Sequence, residues 1–266
     1  MDQSYWRRQT DEPLFPELEW SRPETKQQAG KLLIIGGNLH GFAAPAESYG
    51  LAEKAGIGST RVLLPESLRK SVGKLFPEAD FAPSTPSGSF ASTALAELVD
   101  ASQWADAVLL PGDISRNSET TVLIETFLEK YSGLVTLTKD MADVIAQQPL
   151  SVLHRPNTLL VLAMGQLRQL GIGAHFPRAF TSETGLVQLI DNLHEFTKRF
   201  PLLILTKHQH QFVVAMNGQV STTPLKGEQA VWRLRAAATA SVWWLQNPGK
   251  AFEACTAAAH ELTKES

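Results

Sequence analysis

From Lys31 onward the chain alternates short, unbroken apolar runs with longer stretches in which apolar residues recur every three or four positions. The runs Lys31–Ile35, Arg61–Leu64, Ala107–Leu110, Leu134–Leu137, Leu159–Leu162 and Leu202–Leu205 are predicted strands. Apolar runs without polar alternation belong to strands covered on both faces, the mark of a parallel sheet. Between them the 3.6-residue period predicts helices over Ala44–Ala55, Ser89–Trp104, Glu119–Tyr131 and Glu183–Arg199. The second places Leu95, Leu98 and Val99 on one face, and the third turns Val122, Leu123, Phe127 and Leu128 inward. Phe212–Met216, Asn217-Gly218 and Gln219–Thr222 read as a hairpin with a two-residue turn. Helices Glu228–Leu245 and Ala251–Lys264 close the chain around Asn247-Pro248-Gly249. Val231, Leu234, Ala238, Val242 and Leu245 form the buried stripe of the first. The pattern predicts an α/β fold, a three-layer doubly wound sheet, mostly parallel and flanked by helices.

Residues 1–30 have no such period. Pro13, Pro16 and Pro23, mixed charges and scattered apolar residues mark an N-terminal arm preceding a domain over 31–266. Its tryptophans, Trp6 and Trp20, predict that the arm packs on its own domain rather than on a partner.

Composition narrows the function. With 43% apolar and 19% charged residues among 266, the chain folds without metal or disulfide staples. Twenty-four basic residues against 27 acidic ones leave −3, which gives no footprint for nucleic acid. Cys255 is the only cysteine, so intrachain disulfides and cysteine-rich zinc sites are excluded. Met1–Trp6 contains no apolar signal region, and the longest apolar stretch, Leu159–Met164, is far short of a membrane span. The expectation is a soluble, cytoplasmic protein with no membrane partner.

In open parallel sheets, ligands bind beyond the carboxyl ends of the strands. Four predicted strand ends carry suitable turns: Gly36-Gly37-Asn38, Pro111-Gly112-Asp113, Thr138-Lys139-Asp140 and Thr206-Lys207-His208. They predict a small-molecule pocket bordered by Gly36–Asn38, Gly112 and Asp140. No Walker-type loop, Gly-x-Gly-x-x-Gly pattern or Gly-x-Ser-x-Gly elbow is present. His208-Gln209-His210 would put two imidazoles on one face of a strand, but no acidic third ligand accompanies them and no metal site is assigned. His40, His154, His175, His194 and His260 stand alone and read as surface or satisfied residues.

The order of turns resembles a known family. Gly36-Gly37-Asn38, Ala43-Ala44, Glu53–Gly58, a strand and Pro65 are similar to the opening of the ADP- or ATP-dependent NAD(P)H-hydrate dehydratases, of the ribokinase-like superfamily. Ala105–Ile114 resembles their Ala-Asp-Ala-hydrophobic-Gly-Pro-Gly-Leu-Gly, and Arg116–Thr120 their polar helix start. Leu137–Asp140 stands where Leu-Asp-Ala-Asp is expected, and Leu205–His208 where a lysine turn approaches the nucleotide. The resemblance implies Gly36, Gly37, Asn38, Ala43, Ala44 and Gly112 at the substrate and Lys207 at the nucleotide, with Asp140 the candidate for a catalytic role. It further implies ADP or ATP as cofactor, optionally with Mg2+, and hydrated NADH or NADPH as partner, and it allows a homo-oligomer. The reaction implied is a lyase step that repairs the hydrated cofactor: the nucleotide phosphorylates the hydroxyl and phosphate then leaves.

Two family motifs do not recur. Thr-Pro-His-Pro-Gly-Glu is expected near Val161–Gln166, where only the glycine remains. Gly-Thr-Gly-Asp is expected near Trp232–Arg235, which has neither glycine nor aspartate and reads as helix interior. Loss of a general base typically costs about 10²–10⁴-fold in rate. The sequence therefore predicts absent or severely weakened turnover, and a catalytically silent relative that binds a nucleotide or a protein is the alternative reading. A sugar or vitamin kinase of the superfamily would need the same missing motif.

Overall fold

The computed structural model describes residues 4–74, 76–114, 117–147, 149–225 and 232–264. Its strands are β1 (Trp6–Arg8), β2 (Lys31–Gly36), β3 (Ser59–Pro65), β4 (Ala79–Ala82) and β5 (Ala107–Gly112). They continue as β6 (Leu134–Thr138), β7 (Thr158–Leu162), β8 (Leu203–His208), β9 (Gln211–Met216) and β10 (Gln219–Pro224). The helices before β6 are α1 (Pro16–Trp20), α2 (Ala43–Lys54), α3 (Arg69–Val72), α4 (Leu95–Trp104) and α5 (Ser118–Lys130). Next come α6 (Lys139–Gln147), α7 (Leu150–Leu153), α8 (Met164–Gly173) and α9 (Leu186–Arg199), then α10 (Arg233–Gln246) and α11 (Ala251–Lys264).

All ten strands form one sheet, in the order β1-β10-β9-β8-β7-β6-β5-β2-β3-β4. The six predicted apolar runs are its parallel centre. Burial on both faces explains their composition: Leu32 to Ile35 are all 0% exposed. Leu33, Ile35, Val108 and Leu110 face one core, closed by α4, α5, α6, α8 and α9. Leu32, Ile34, Leu109 and Val161 face the other, closed by α2, α10 and α11. This is the three-layer α/β architecture that the sequence predicts.

Helix α10 is buried on every side from Ala236 to Leu245, not along one stripe. Ala236, Ala237, Ala238 and Ala240 let it lie close to the sheet, where Ser241 donates to Thr136 Oγ1 at 2.7 Å. Residues 4–30 also pack on the sheet layers. β1 runs parallel to β10, and Leu18 is buried in the second core. The buried Gln9 donates to Thr223 Oγ1 at 2.9 Å and to Thr256 O at 3.2 Å. Trp6 is half-buried, whereas Trp20 is 88% exposed.

Several boundaries differ from the periodicity. The helix expected from Ser89 starts at Leu95, after a 3-10 turn, because Ser89 pairs with Thr85 to close a loop. Val122, expected inward, is 58% exposed. The helix expected from Glu228 begins at Arg233, so Trp232–Arg235 is a helix start and not helix interior. Arg116, Glu228 and Val231 lie outside the described residues. Among the described residues, no helix is long and apolar enough to cross a membrane.

The chain's three tyrosines make one property of the packing measurable. Burial pushes the Tyr131 phenol up to about 12, and burial raises Tyr49 as well. Tyr5, whose hydroxyl donates to Asp191, is also pushed up to about 12. The folded protein is expected to show no tyrosinate absorbance step at the ordinary phenol value of 10.0. The unfolded chain ionises first, so stability is intact below pH 10 and falls as pH rises toward about 12. Ultraviolet titration beside alkaline melting curves checks both parts. A full three-tyrosine step at pH 10 in the folded protein would contradict this packing.

Candidate functional site

Beyond the carboxyl ends of β2, β5 and β6 the turns interlock. Gly36 and Gly112 bring two backbones so close that a Cβ on Gly36 would lie 2.6 Å from Gly112 O. The Gly37 N–H donates to the same carbonyl at 3.2 Å. The largely buried Asn38 donates through Nδ2 to the Asp113 carbonyl, and its Oδ1 accepts the His40 N–H at 2.8 Å. The first turn of α2 has no side-chain cap of its own. Its Ala44 N–H donates instead to Asp113 Oδ2 at 2.7 Å. A carboxylate thus sits at the positive end of α2, where a helix start favours an anion. Lys139 Nζ lies 3.7 Å from the other Asp113 oxygen.

Asp140 supports this turn from β6. Its Oδ1 accepts the Asp113 N–H at 2.9 Å and its Oδ2 the Ile114 N–H at 3.1 Å. The arrangement needs Gly112 (φ +110°), on which a Cβ would meet Asp140 Oδ1 at 1.9 Å. Asp113 and Lys139 are themselves left-handed, with φ of +60° and +52°. Such backbone costs about 1–3 kcal/mol per residue and persists where surrounding contacts fix it.

Gly36, Gly37, Asn38, Ala43, Ala44, Gly112 and Asp140 therefore converge around Asp113. Lys207 stands apart, since β6 and β7 lie between β5 and β8. That places it about 14 Å away, three strand spacings. Next to Lys207, His208 is 3% exposed and its Nε2 finds no partner among the described residues. His208 ends β8 while Gln209 turns the chain at φ +51°, so the two imidazoles do not share a strand face.

Sequence reasoning missed Gln166, which bridges the two halves. Its amide nitrogen donates to Lys139 O and to Asp143 Oδ1, both at 2.7 Å. Its Oε1 accepts the Ala163 N–H at 3.0 Å and an Arg233 N–H at 3.3 Å. The signal was faint: a glutamine three residues into a helix reaches back to the cap residue, here an alanine instead of serine or threonine. Among the described residues no cluster of three or more His, Cys, Asp or Glu could hold a metal ion.

Comparison with known proteins returns no matching family model and no matching curated protein. Solved structures do match. A ribokinase-like superfamily protein from Enterococcus faecalis superposes with a TM-score of 0.74 at 16% identity, over 98% of this chain and 88% of its own. A hypothetical protein from Streptococcus mutans gives 0.71 at 16%, over 98% and 92%. The ADP/ATP-dependent NAD(P)H-hydrate dehydratase of Bacillus subtilis, co-crystallized with ATP/Mg2+, gives 0.64 at 15%, over 95% and 87%. At such identity the likeness carries the architecture and leaves the chemistry to the residues. The chain has the ribokinase-like α/β fold.

Proposed function

We propose that this chain is a relative of the NAD(P)H-hydrate dehydratases that binds ADP or ATP but does not transfer phosphate at ordinary enzyme rates. The observation that carries this reading is the Asp113 carboxylate on the Ala44 N–H. The resemblance puts the hydrated nicotinamide nucleotide at Gly36–Asn38, Ala43-Ala44 and Gly112. In this chain an internal anion takes the helix start, and the charges of Asp113 and Asp140 oppose a phosphate there. Asp140 is committed on both oxygens to the amides of Asp113 and Ile114, and those two bonds favour its charged form over the protonated one a base must become.

The nucleotide half is different in character. Lys207 is the penultimate residue of β8, and Arg233 opens α10, whose N-cap residue Trp232 makes no side-chain cap. A helix start and cationic side chains both favour phosphate oxygens, and Arg233 stands at the start of α10. Mg2+ has no ligand cluster among the described residues, so no step is assigned to it.

The test pairs binding with turnover. ADP or ATP at about a hundred times its Kd should stabilise the fold by about 2.7 kcal/mol, a rise of about 5–10 °C, and Lys207→Ala should remove the rise. A repair assay on hydrated NADH and NADPH should give no product above background. Turnover above about 1 per second would overturn the silent reading, and no shift with either nucleotide would overturn the binding reading.

A further inference from the structure

Of the arm's two tryptophans, only Trp6 finds cover on its own domain. At 88% exposure Trp20 is the most exposed large apolar side chain among the described residues, although tryptophan is on average a highly buried residue. It ends α1, which packs on α11. Its neighbours fix it outward: Leu18 is buried in the second core, and Glu19 accepts from Lys264 Nζ at 2.9 Å. Asp11, Glu12, Glu17 and Glu24 are exposed in the same arm. From Thr10 to Glu24 the arm carries five carboxylates, Glu19 included, against one cation, Arg22.

A depression of 370 Å³ has the opposite character. It opens between the last two turns of α9 (Glu195, Lys198, Arg199) and the loop after α8 (Phe176, Pro177, Arg178). Three cations there face one carboxylate, Glu195, which Lys198 already approaches at 3.7 Å. Lys198 and Arg199 also suit the carboxyl end of a helix, but Arg178, in the loop, has no such reason to be there. Phe176 is half-buried and rigidly held, stacked on Phe180 at 5.7 Å and edge-on to Phe196 at 5.1 Å between centroids. Helices α9 and α11 cover opposite faces of the sheet, so Trp20 cannot fill the depression of its own chain.

We propose that the depression receives Trp20 of a second copy of this chain. The indole lies against Phe176 and Pro177, an arginine of the rim stacks on its face, and the arm's exposed carboxylates meet the three cations. Tryptophan and arginine are the side chains that carry most binding energy at interfaces, and complementary charge steers such surfaces together. One side chain and its rim make a small contact of the transient class, with a dissociation constant of about 10–100 μM. The association owes nothing to the nucleotide site proposed above.

Sedimentation of the full chain from about 1 to about 200 μM, the range that brackets such an affinity, tests this. The average mass of the wild type should rise above the 29.1 kDa of one chain. Trp20→Ala should weaken association about 30-fold or more, as loss of an interface anchor does, and so stay monomeric. Arg178→Glu combined with Arg199→Glu should do the same. All three positions are exposed, so both variants should melt within about 2 °C of the wild type. The decisive measurement mixes the two variants in equal amounts. One brings an intact depression and the other an intact indole, so the mixture should form pairs and nothing larger. A wild type that stays monomeric throughout would overturn the proposal and leave Trp20 to a different protein. So would either variant assembling as the wild type does, or a mixture that stays monomeric or grows beyond two chains.

Discussion

Asp140→Ala should lower the melting temperature by about 6–12 °C, the equivalent of about 3 kcal/mol in a domain of this size. Both carboxylate oxygens accept backbone N–H groups, from Asp113 and Ile114, and hydrogen bonds to a charged acceptor are the stronger kind. Alanine leaves two amides unpaired in a turn already holding Asp113 at φ +60°. Loss of the turn also releases the Asp113 carboxylate from α2, so the damage spreads to the next element. Asp140→Asn keeps one acceptor and should recover about half of the loss. These melts separate a structural from a catalytic Asp140. A catalytic carboxylate would change the rate and leave the melting temperature within about 1 °C, because surface positions without structural partners rarely matter more. If Asp140→Ala melts with the wild type, the interlocked turn does not stabilise this protein.

The central strands were legible in the sequence because burial on both faces leaves no polar alternation. The edge strands β1 and β4 were not. Trp6–Arg8 and Ala79–Ala82 are partly exposed, and only pairing with distant residues makes them strands. Helix α6 was hidden for another reason. Lys139 turns the chain in a single left-handed residue, so no Gly or Pro separates β6 from the helix that Asp140 enters. Helix α8 contains Gly165, Gly171 and Gly173, which lower its propensity. Two of these answer tertiary needs: a Cβ on Gly171 would lie 2.9 Å from Phe180, and one on Gly173 2.8 Å from Pro149. The site divides the same way. Glycine turns at strand ends are a local signal and were found. That Asp113 would cap a helix 69 positions earlier is a long-range pairing, which no local period encodes.

Arg155, silent in the sequence, is expected to be among the costliest positions to change. It is 9% exposed just before β7, and its guanidinium fork gathers main-chain carbonyls from three segments. It donates to Leu128 O at 3.2 Å at the end of α5 and to Gly133 O at 2.8 Å and Tyr131 O in the following turn. It also reaches Pro156 O and Asn157 O at 3.1 Å and Thr158 Oγ1 at 2.9 Å, at the entry to β7. None of these partners is a carboxylate. Burial pushes the group down to about 10, which still leaves it charged at neutral pH. Replacing a buried ion pair by apolar residues can be neutral, because both charges go together. Here only the donor goes and the carbonyls stay behind, so the sign is destabilising. Arg155→Met, which keeps much of the volume, should cost about 4 kcal/mol, or about 8–16 °C. Arg155→Lys keeps the charge but offers one compact donor group in place of a planar fork, and should recover less than half. Melting curves of the two variants decide the matter. A methionine variant within about 2 °C of wild type would mean that water or relaxation satisfies the abandoned carbonyls, and that the α5–β7 junction holds without its guanidinium.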